Sequence, residues 1–279
     1  MAIITLTTDY GTKDHFAGAL KGKLYTRFPD AVLVDISHQI DPFNIAEASY
    51  ITSVSYKNFP ENTVHFIGVD MEVSAENIPV AMQWNNHYFL AANNGILGMI
   101  LESETPQQLV ALPISDTSSE TLFIQAAIAL AQGKPLASLG TPINTLKVLT
   151  EQQPVISEDL SSIKAYVIYI DNFGNVVTNV TKTIFEKVRK GRNFEILLNE
   201  KRKYSTPIRL KTIIEKYSDI AQNSNFNLKD FEGDKLAIFN EAGYLEIAIF
   251  RSNPATVGSA ASLYGLSYRD AITINFLTT

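Results

Sequence analysis

"TLTTDYGTKDHFAGALKG" (residues 5–22) decides the fold. It opens inside AIITLTT (residues 2–8), which is short, apolar and β-branched and reads as a buried strand. Asp9 follows, Gly11 lets the backbone turn tightly, and Asp14 falls in the first turn of a helix. Phe16, Leu20, Leu24 and Phe28 recur every four residues and line one face of that helix, over 14–28, until Pro29 ends it. A strand that passes through a glycine turn into an amphipathic helix is the first half of a strand–helix–strand unit.

The pattern repeats. Strands are expected at 31–37 and 63–70, with a helix over 44–58 that turns Ile45, Ala48, Ile51 and Tyr56 inward. Residues 79–93 read as a hairpin with Asn85, Asn86 and His87 in its turn, and helices follow at 95–103 and 119–133. Strands alternating with helices imply an α/β domain: a mostly parallel sheet with helices on both faces. Residues 134–160 hold three prolines and little periodicity. Short strands come next, at 164–171, 193–198, 235–240, 244–250 and 271–276, with one short helix near 257–265. This half reads as a smaller antiparallel β domain, so the expected domains are 1–155 and 156–279. The basic run KVRKGRNFE (187–195) reads as a solvated turn between strands.

Composition narrows the class. The chain has 279 residues, 46% hydrophobic and 19% charged, as expected of a globular protein with two domains. A net charge of −6 argues against a nucleic-acid partner, which needs a basic face. Without cysteine there is no disulfide, no thiolate nucleophile and no zinc–sulfur site, a composition that fits the cytoplasm. MAIITLTTDYG has neither the basic start nor the cleavage site of a signal peptide, and no apolar run reaches the roughly 18 residues that span a membrane.

Polar residues cluster where strands end. Ligands in α/β sheets bind beyond the carboxyl ends of the strands, and Asp9 sits at such an end. A carboxylate there can accept two hydrogen bonds from a vicinal diol such as a ribose. Asp9 and Asp14 equally suit helix capping, which spacing alone favours. Asp70 closes the strand at 63–69, and Asn93, Asn94 and Gly95 lie between a strand and a helix. In YIDNFGNVVTNV (169–180), Asp171, Asn172, Asn175, Thr178 and Asn179 crowd around Phe173 and Gly174, and a plain hairpin turn explains part of that pattern. Of the four histidines, His15 is expected at the surface and His38 behind a strand end. His65 is expected within a strand and His87 in a turn.

Six segments occur in order along both halves: TDYGTKDHFAGALKG, VDISHQIDPFNIAEA (34–48), VDMEVS, ANNGIL, IDNFGNVVTN and NEAGYLEIA (240–248). Together they resemble one family, the adenosyl-forming S-adenosylmethionine (SAM) hydrolases and their relatives, the SAM-dependent fluorinating and chlorinating halogenases. The resemblance implies an N-terminal α/β domain, a C-terminal β domain and a homotrimer, with substrate between the first domain of one subunit and the second domain of its neighbour. It assigns Asp9 to the ribose hydroxyls, with Tyr10, Asp14 and Asn94 in the same binding set, and Phe43 to an aromatic face against the substrate. Asp171, Phe173 and Asn175 match positions that hold the methionine end and the adenine, and Phe250 and Arg251 would lie beside the adenine. The implied reaction is displacement of methionine from C5′ of the ribose by water. SAM is the substrate, and no metal or other cofactor is implied.

The chain departs from the family pattern at the water-activating set, an aspartate, an arginine and a histidine. Asp70 matches the first, but Asn77 stands at the arginine and Ser118 at the histidine. MEVS replaces a Pro-Gly-Val-Gly turn, and Asn240-Glu241 replaces an Asn-Ser pair, so Glu241 takes a methionine-contact position. Serine is no base near neutral pH, so hydrolysis through Asp70, Asn77 and Ser118 is expected to be slow. The alternatives are an adenosine- or SAM-binding protein without turnover and, less favoured, a halogenase.

Overall fold

A computed structural model of the chain describes residues 2–101, 104–114, 117–149, 153–198, 208–221 and 227–277. It divides into two compact units, Met1–Leu149 and Thr150–Thr279.

The first unit runs β1 (Ile3–Thr8), α1 (Phe16–Arg27), β2 (Val32–Ser37), α2 (Ile45–Ser55), β3 (Val64–Gly68), β4 (Pro79–Trp84), β5 (His87–Ala92), α3 (Ile96–Leu101), β6 (Gln108–Ala111), α4 (Ser119–Ala131) and β7 (Thr141–Pro142). These strands form one sheet in the order β2-β1-β3-β5-β4-β6-β7. The first four are parallel, and the edge beyond β5 is antiparallel. Alternation along the strands feeds two cores. Ile4, Leu6, Phe66 and Leu90 pack with α1 and α4, while Ile67, Phe89 and Ala91 pack with α2 and α3. Helices therefore cover both faces, as expected.

Four details differ from the sequence expectation. First, α1 starts at Phe16, so Asp14 lies before the helix rather than in its first turn. His15 occupies the N-cap without a side-chain bond, and Phe16 is 50% exposed while Leu20 and Leu24 are buried. Second, α2 gives way to a short 3₁₀ turn, Tyr56–Asn58, which carries Tyr56 into the core. Third, Asn85 and Asn86 both have left-handed backbones (φ 49° and 61°), and two such residues complete a hairpin turn. His87 is thus the first residue of β5, paired with Trp84 and buried. Its Nδ1 meets His65 Nε2 at 3.1 Å, and His65 Nδ1 meets Thr5 Oγ1 at 2.8 Å. Fourth, α3 is described only to Leu101, and residues 102 and 103 of the expected helix lie outside the described residues.

The second unit holds β8 (Val155–Ile156), β9 (Ser162–Ile170), β10 (Val176–Thr181), α5 (Lys182–Arg189), β11 (Phe194–Leu198), β12 (Ile208–Leu210), β13 (Lys235–Phe239), β14 (Tyr244–Ile249), α6 (Ala260–Tyr264) and β15 (Ala271–Phe276). Its antiparallel sheet has the order β12-β11-β15-β9-β10-β14-β13, with β8 beside β9, and curls around Val167, Phe185, Ile196, Ile247 and Ile272. The basic run beginning at 187 is not simply a turn. Its first residues end α5, which Thr181 caps and whose Phe185 and Val188 are buried. Its lysines and arginines are the wet side of an amphipathic helix, closed by left-handed Lys190 and Gly191.

Candidate active site

β1 lies between β2 and β3, so the chain leaves β1 to one side and later returns on the other. That is a topological switch point, where open α/β sheets hold ligands beyond the strands' carboxyl ends. Thr8 pairs with Gly68, so Asp9 and Asp70 leave neighbouring strands at the same edge. Asn94 follows β5, the next strand along.

Asp9 is not a helix cap. Its Oδ2 accepts a hydrogen bond from the Phe43 backbone N–H at 3.1 Å, and its Oδ1 has no hydrogen-bond partner among the described residues. Phe43 has a left-handed backbone (φ 63°) and a side chain 71% exposed. A bulky residue in that conformation costs about 1–2 kcal/mol, so the surroundings must hold it. They do so through Glu47, whose Oε2 accepts from the Asp41 N–H (3.0 Å) and from Asn44 Nδ2 (3.2 Å), while Asn44 caps α2. Burial pushes the Glu47 carboxyl above its ordinary range. Behind Asp9, Thr8 Oγ1 meets His38 Nδ1 at 2.7 Å and His38 Nε2 meets Asp35 Oδ1 at 3.1 Å. Partial burial pushes Asp35 up, but hydrogen bonds from Lys21 and His38 outweigh it and hold the carboxyl low. Gly11 (φ 68°) donates to the His38 carbonyl at 2.6 Å and locks the first loop to β2's exit. Asp14 is exposed and makes no hydrogen bond among the described residues.

Asp70 also has a left-handed backbone (φ 46°). Asn94 holds that turn: its Nδ2 donates to the carbonyls of Val69 and Asp70, each at 3.1 Å, and its Oδ1 accepts from the Ile96 N–H. The loop after Asp70 closes on itself through Asn77, whose Nδ2 donates to the Glu72 carbonyl at 2.9 Å. Asn77 Oδ1 is buried without a hydrogen-bond partner. The same loop docks on the start of α4, where Ser119 Oγ accepts from the Val73 N–H at 3.0 Å. Ser118 caps α4, accepting from the Thr121 N–H and donating to Thr121 Oγ1. Tyr10 directs its hydroxyl at Met71 Sδ (3.6 Å) and Glu120. Burial, followed by the charges of Glu120 and Asp9, pushes that phenol up.

In the second unit a hairpin loop between β9 and β10 gathers the remaining polar residues. Asp171 Oδ1 accepts from the Phe173 and Asn175 N–H groups (2.9 and 2.8 Å), and Oδ2 accepts from Asn175 Nδ2 (3.0 Å). Phe173 is 63% exposed at the tip. Gly174 is required there, because its φ is +71° and a Cβ would lie 2.2 Å from Ser259 Oγ. Asn175 Nδ2 also reaches the Tyr217 hydroxyl (3.4 Å), which donates to Glu246 Oε1. Asn240 Nδ2 donates to Glu246 Oε2 at 3.2 Å. Burial raises the Glu246 pKa against those two hydrogen bonds, and nearby Asp171 adds to the rise.

Residues 4–140 match the SAM hydroxide adenosyltransferase N-terminal domain, and residues 165–273 match the C-terminal domain of the same family. The chain belongs to the SAM hydroxide adenosyltransferase family. It is 26% identical to an (R)-S-adenosyl-L-methionine hydrolase of Methanocaldococcus jannaschii over 98% of this chain and 95% of that one. It is 25% identical to a fluorinase of an Actinoplanes strain, covering 88% of this chain and 90% of that one. An uncharacterised conserved protein from Thermotoga maritima has the same fold, with a TM-score of 0.77 at 24% identity over 98% of this chain and 99% of that one.

Within the first unit of this family member, Asp9, Tyr10, Phe43, Asp70 and Asn94 gather at adjoining strand ends. Within the second, Asp171, Phe173 and Asn175 share one loop. Several expected site residues also make structural contacts. Asn94 spends its amide on backbone and positions Asp70. Ser118 is a helix cap, because a β-region serine ahead of a helix satisfies an N–H that otherwise has no partner. Phe250 is buried with Leu236, Ile238 and Ala248. Arg251 is left-handed, covers the Phe250 ring and pairs with Glu232, and Glu241 is exposed in the β13–β14 turn. Sequence reading passed over Glu246 and Tyr217. The signal for Glu246 was present, since it is the single charge in the apolar strand YLEIAI. A groove of about 670 Å³ lies elsewhere, at the β6–β7 edge between Leu101, Leu109, Pro142 and Val148, and includes none of these residues. Among the described residues there is no cluster of three or more metal-ligating side chains, and no helix is long and apolar enough to cross a membrane.

Proposed function

We propose that this protein hydrolyses SAM to adenosine and L-methionine by attack of water at C5′ of the ribose. The observation that carries the reading is Asp9. It is a carboxylate at the switch point with one oxygen fixed by the Phe43 N–H and the other open, beside an exposed and strained Phe43. Asp9 accepts from the ribose hydroxyls, and Phe43 offers its ring to the sulfonium or the sugar. Asp171, Phe173 and Asn175 hold the methionine and adenine ends. The chain works as a cytoplasmic homotrimer, with SAM as substrate and no separate cofactor.

In the reaction the water oxygen bonds to C5′ while the C5′–S bond breaks, leaving its electron pair on the methionine sulfur. The sulfonium is a good leaving group, so orientation of water supplies much of the catalysis. Asp70, aimed by Asn94, orients the water and takes its proton or passes it to solvent. The buried, unpartnered Asn77 Oδ1 suits a water O–H. Ser118, committed to its cap, adds no base.

That last feature favours a second reading, binding of adenosine or SAM without turnover. Incubation with SAM in ¹⁸O-water, with chromatography and mass spectrometry of the products, separates the two. The first reading requires adenosine labelled at the 5′-oxygen together with methionine. Binding by calorimetry without product leaves the second, and neither binding nor product overturns both.

A further inference from the structure

Glu246 stands in the middle of an apolar strand of the second unit, 7% exposed, and is absent from every salt bridge found among the described residues. A buried carboxyl without a cation is costly and needs its hydrogen bonds. Both oxygens have them, one from the Tyr217 hydroxyl and one from Asn240 Nδ2. Asn240 cannot turn its amide over, because its Oδ1 already accepts from the Ala242 and Tyr244 N–H groups.

The direction of this chain of bonds matters. Glu246 takes the Tyr217 proton, so the phenol oxygen presents a lone pair to Asn175 Nδ2. Asp171, a carboxylate that only accepts, takes the other hydrogen of that amide. Both Asn175 amide hydrogens are therefore engaged, and its carbonyl Oδ1 is the atom left for a ligand. An acceptor fixed in that way selects a ligand that offers an N–H.

We propose that Glu246 is a positioning residue which, through Tyr217, holds the Asn175 amide as a pure acceptor and so makes the hairpin site prefer a 6-amino purine over a 6-oxo purine. This rests on the reading above, in which Asn175 faces the adenine. Glu246→Gln keeps one acceptor but sets an NH₂ against either Asn240 Nδ2 or the Tyr217 hydroxyl. Tyr217→Phe removes the middle of the relay and leaves the carboxyl in place.

The experiment measures adenosine and inosine binding by calorimetry on wild type and both variants. Hydrogen exchange of the 171–175 amides is followed in parallel. Wild type is expected to prefer adenosine. Each variant should weaken adenosine about 3–10-fold, the worth of one neutral hydrogen bond, and leave inosine within about twofold. Exchange at Phe173 and Asn175 should quicken in both variants. Equal weakening of the two nucleosides would mean general loosening of the site and would overturn the inference, as would unchanged selectivity. If wild type binds neither nucleoside, the reading that sets Asn175 against the adenine fails on its own. Exchange then still decides the relay, and unchanged protection in both variants refutes it.

Discussion

Asp9→Asn perturbs the proposed ribose clamp with little change of shape. Asparagine has one acceptor oxygen where aspartate has two. The Phe43 N–H claims that oxygen, because in the wild type it is satisfied by Asp9 Oδ2 at 3.1 Å. The new NH₂ group then faces the place where a ribose hydroxyl should donate. One charge-assisted hydrogen bond is lost, worth about 1.5–3 kcal/mol. At about 1.4 kcal/mol per factor of ten, kcat/KM for SAM falls about 10–150-fold. The ribose hydroxyls do not react, so the bond exists in the ground state as well and the loss should fall chiefly on KM. The fold should survive, since the Phe43 contact persists, and urea unfolding should shift by no more than about 0.5 kcal/mol. Steady-state kinetics by chromatographic detection of adenosine gives both parameters. A well-folded variant with kcat/KM within twofold of wild type would refute the reasoning, as would a loss confined to kcat.

Asn94→Ala strips the carbonyls of Val69 and Asp70 of their shared donor in a buried place. It should cost about 2–3 kcal/mol in urea unfolding and lower kcat, because Asp70 is no longer aimed. Gly174→Ala would drive a Cβ to 2.2 Å from Ser259 Oγ at a left-handed φ of +71°. Stability should drop by at least about 2 kcal/mol, with weaker adenosine binding by calorimetry. The pH dependence of folding should carry the mark of the buried His65–His87 pair. Burial, with the neighbouring His87, pushes His65 down to about 3, and burial lowers His87 as well, against the opposing charge of Glu61. Below the ordinary histidine range the unfolded chain binds protons that the folded chain refuses. Stability is therefore full above about pH 6.5 and falls toward pH 3 by up to about 1.4 kcal/mol per pH unit for His65, with the lowered His87 adding to the fall. Denaturation at pH 7 and pH 5 checks this, and His65→Gln should show a shallower slope.

The strand ends were legible because two independent signals agree there. Apolar, β-branched runs stop at polar residues, and the strand–helix alternation forces those stops to one edge of a sheet. Asp9, Asp70 and Asn94 gather for that reason. What each side chain does with its hydrogen-bonding atoms was not legible, since the partners are remote in sequence. Asn94 reaches back 25 residues to Val69, and Asp9 meets Phe43 34 residues on. Glu120 in the first turn after Ser118 is the sequence signal for the cap that Ser118 forms. α5 went unseen because its charges hid Phe185 and Val188, and β6 and β7 are too short for a period to register. His87 starts β5 rather than lying in the turn, because a two-asparagine turn is shorter than the three polar residues suggest.

Calorimetric titration of wild-type protein with adenosine and with 2′,3′-dideoxyadenosine tests the ribose clamp most directly. If the open oxygen of Asp9 takes the sugar's hydroxyls, the dideoxy compound binds at least about tenfold more weakly. Equal affinity for the two would contradict the account.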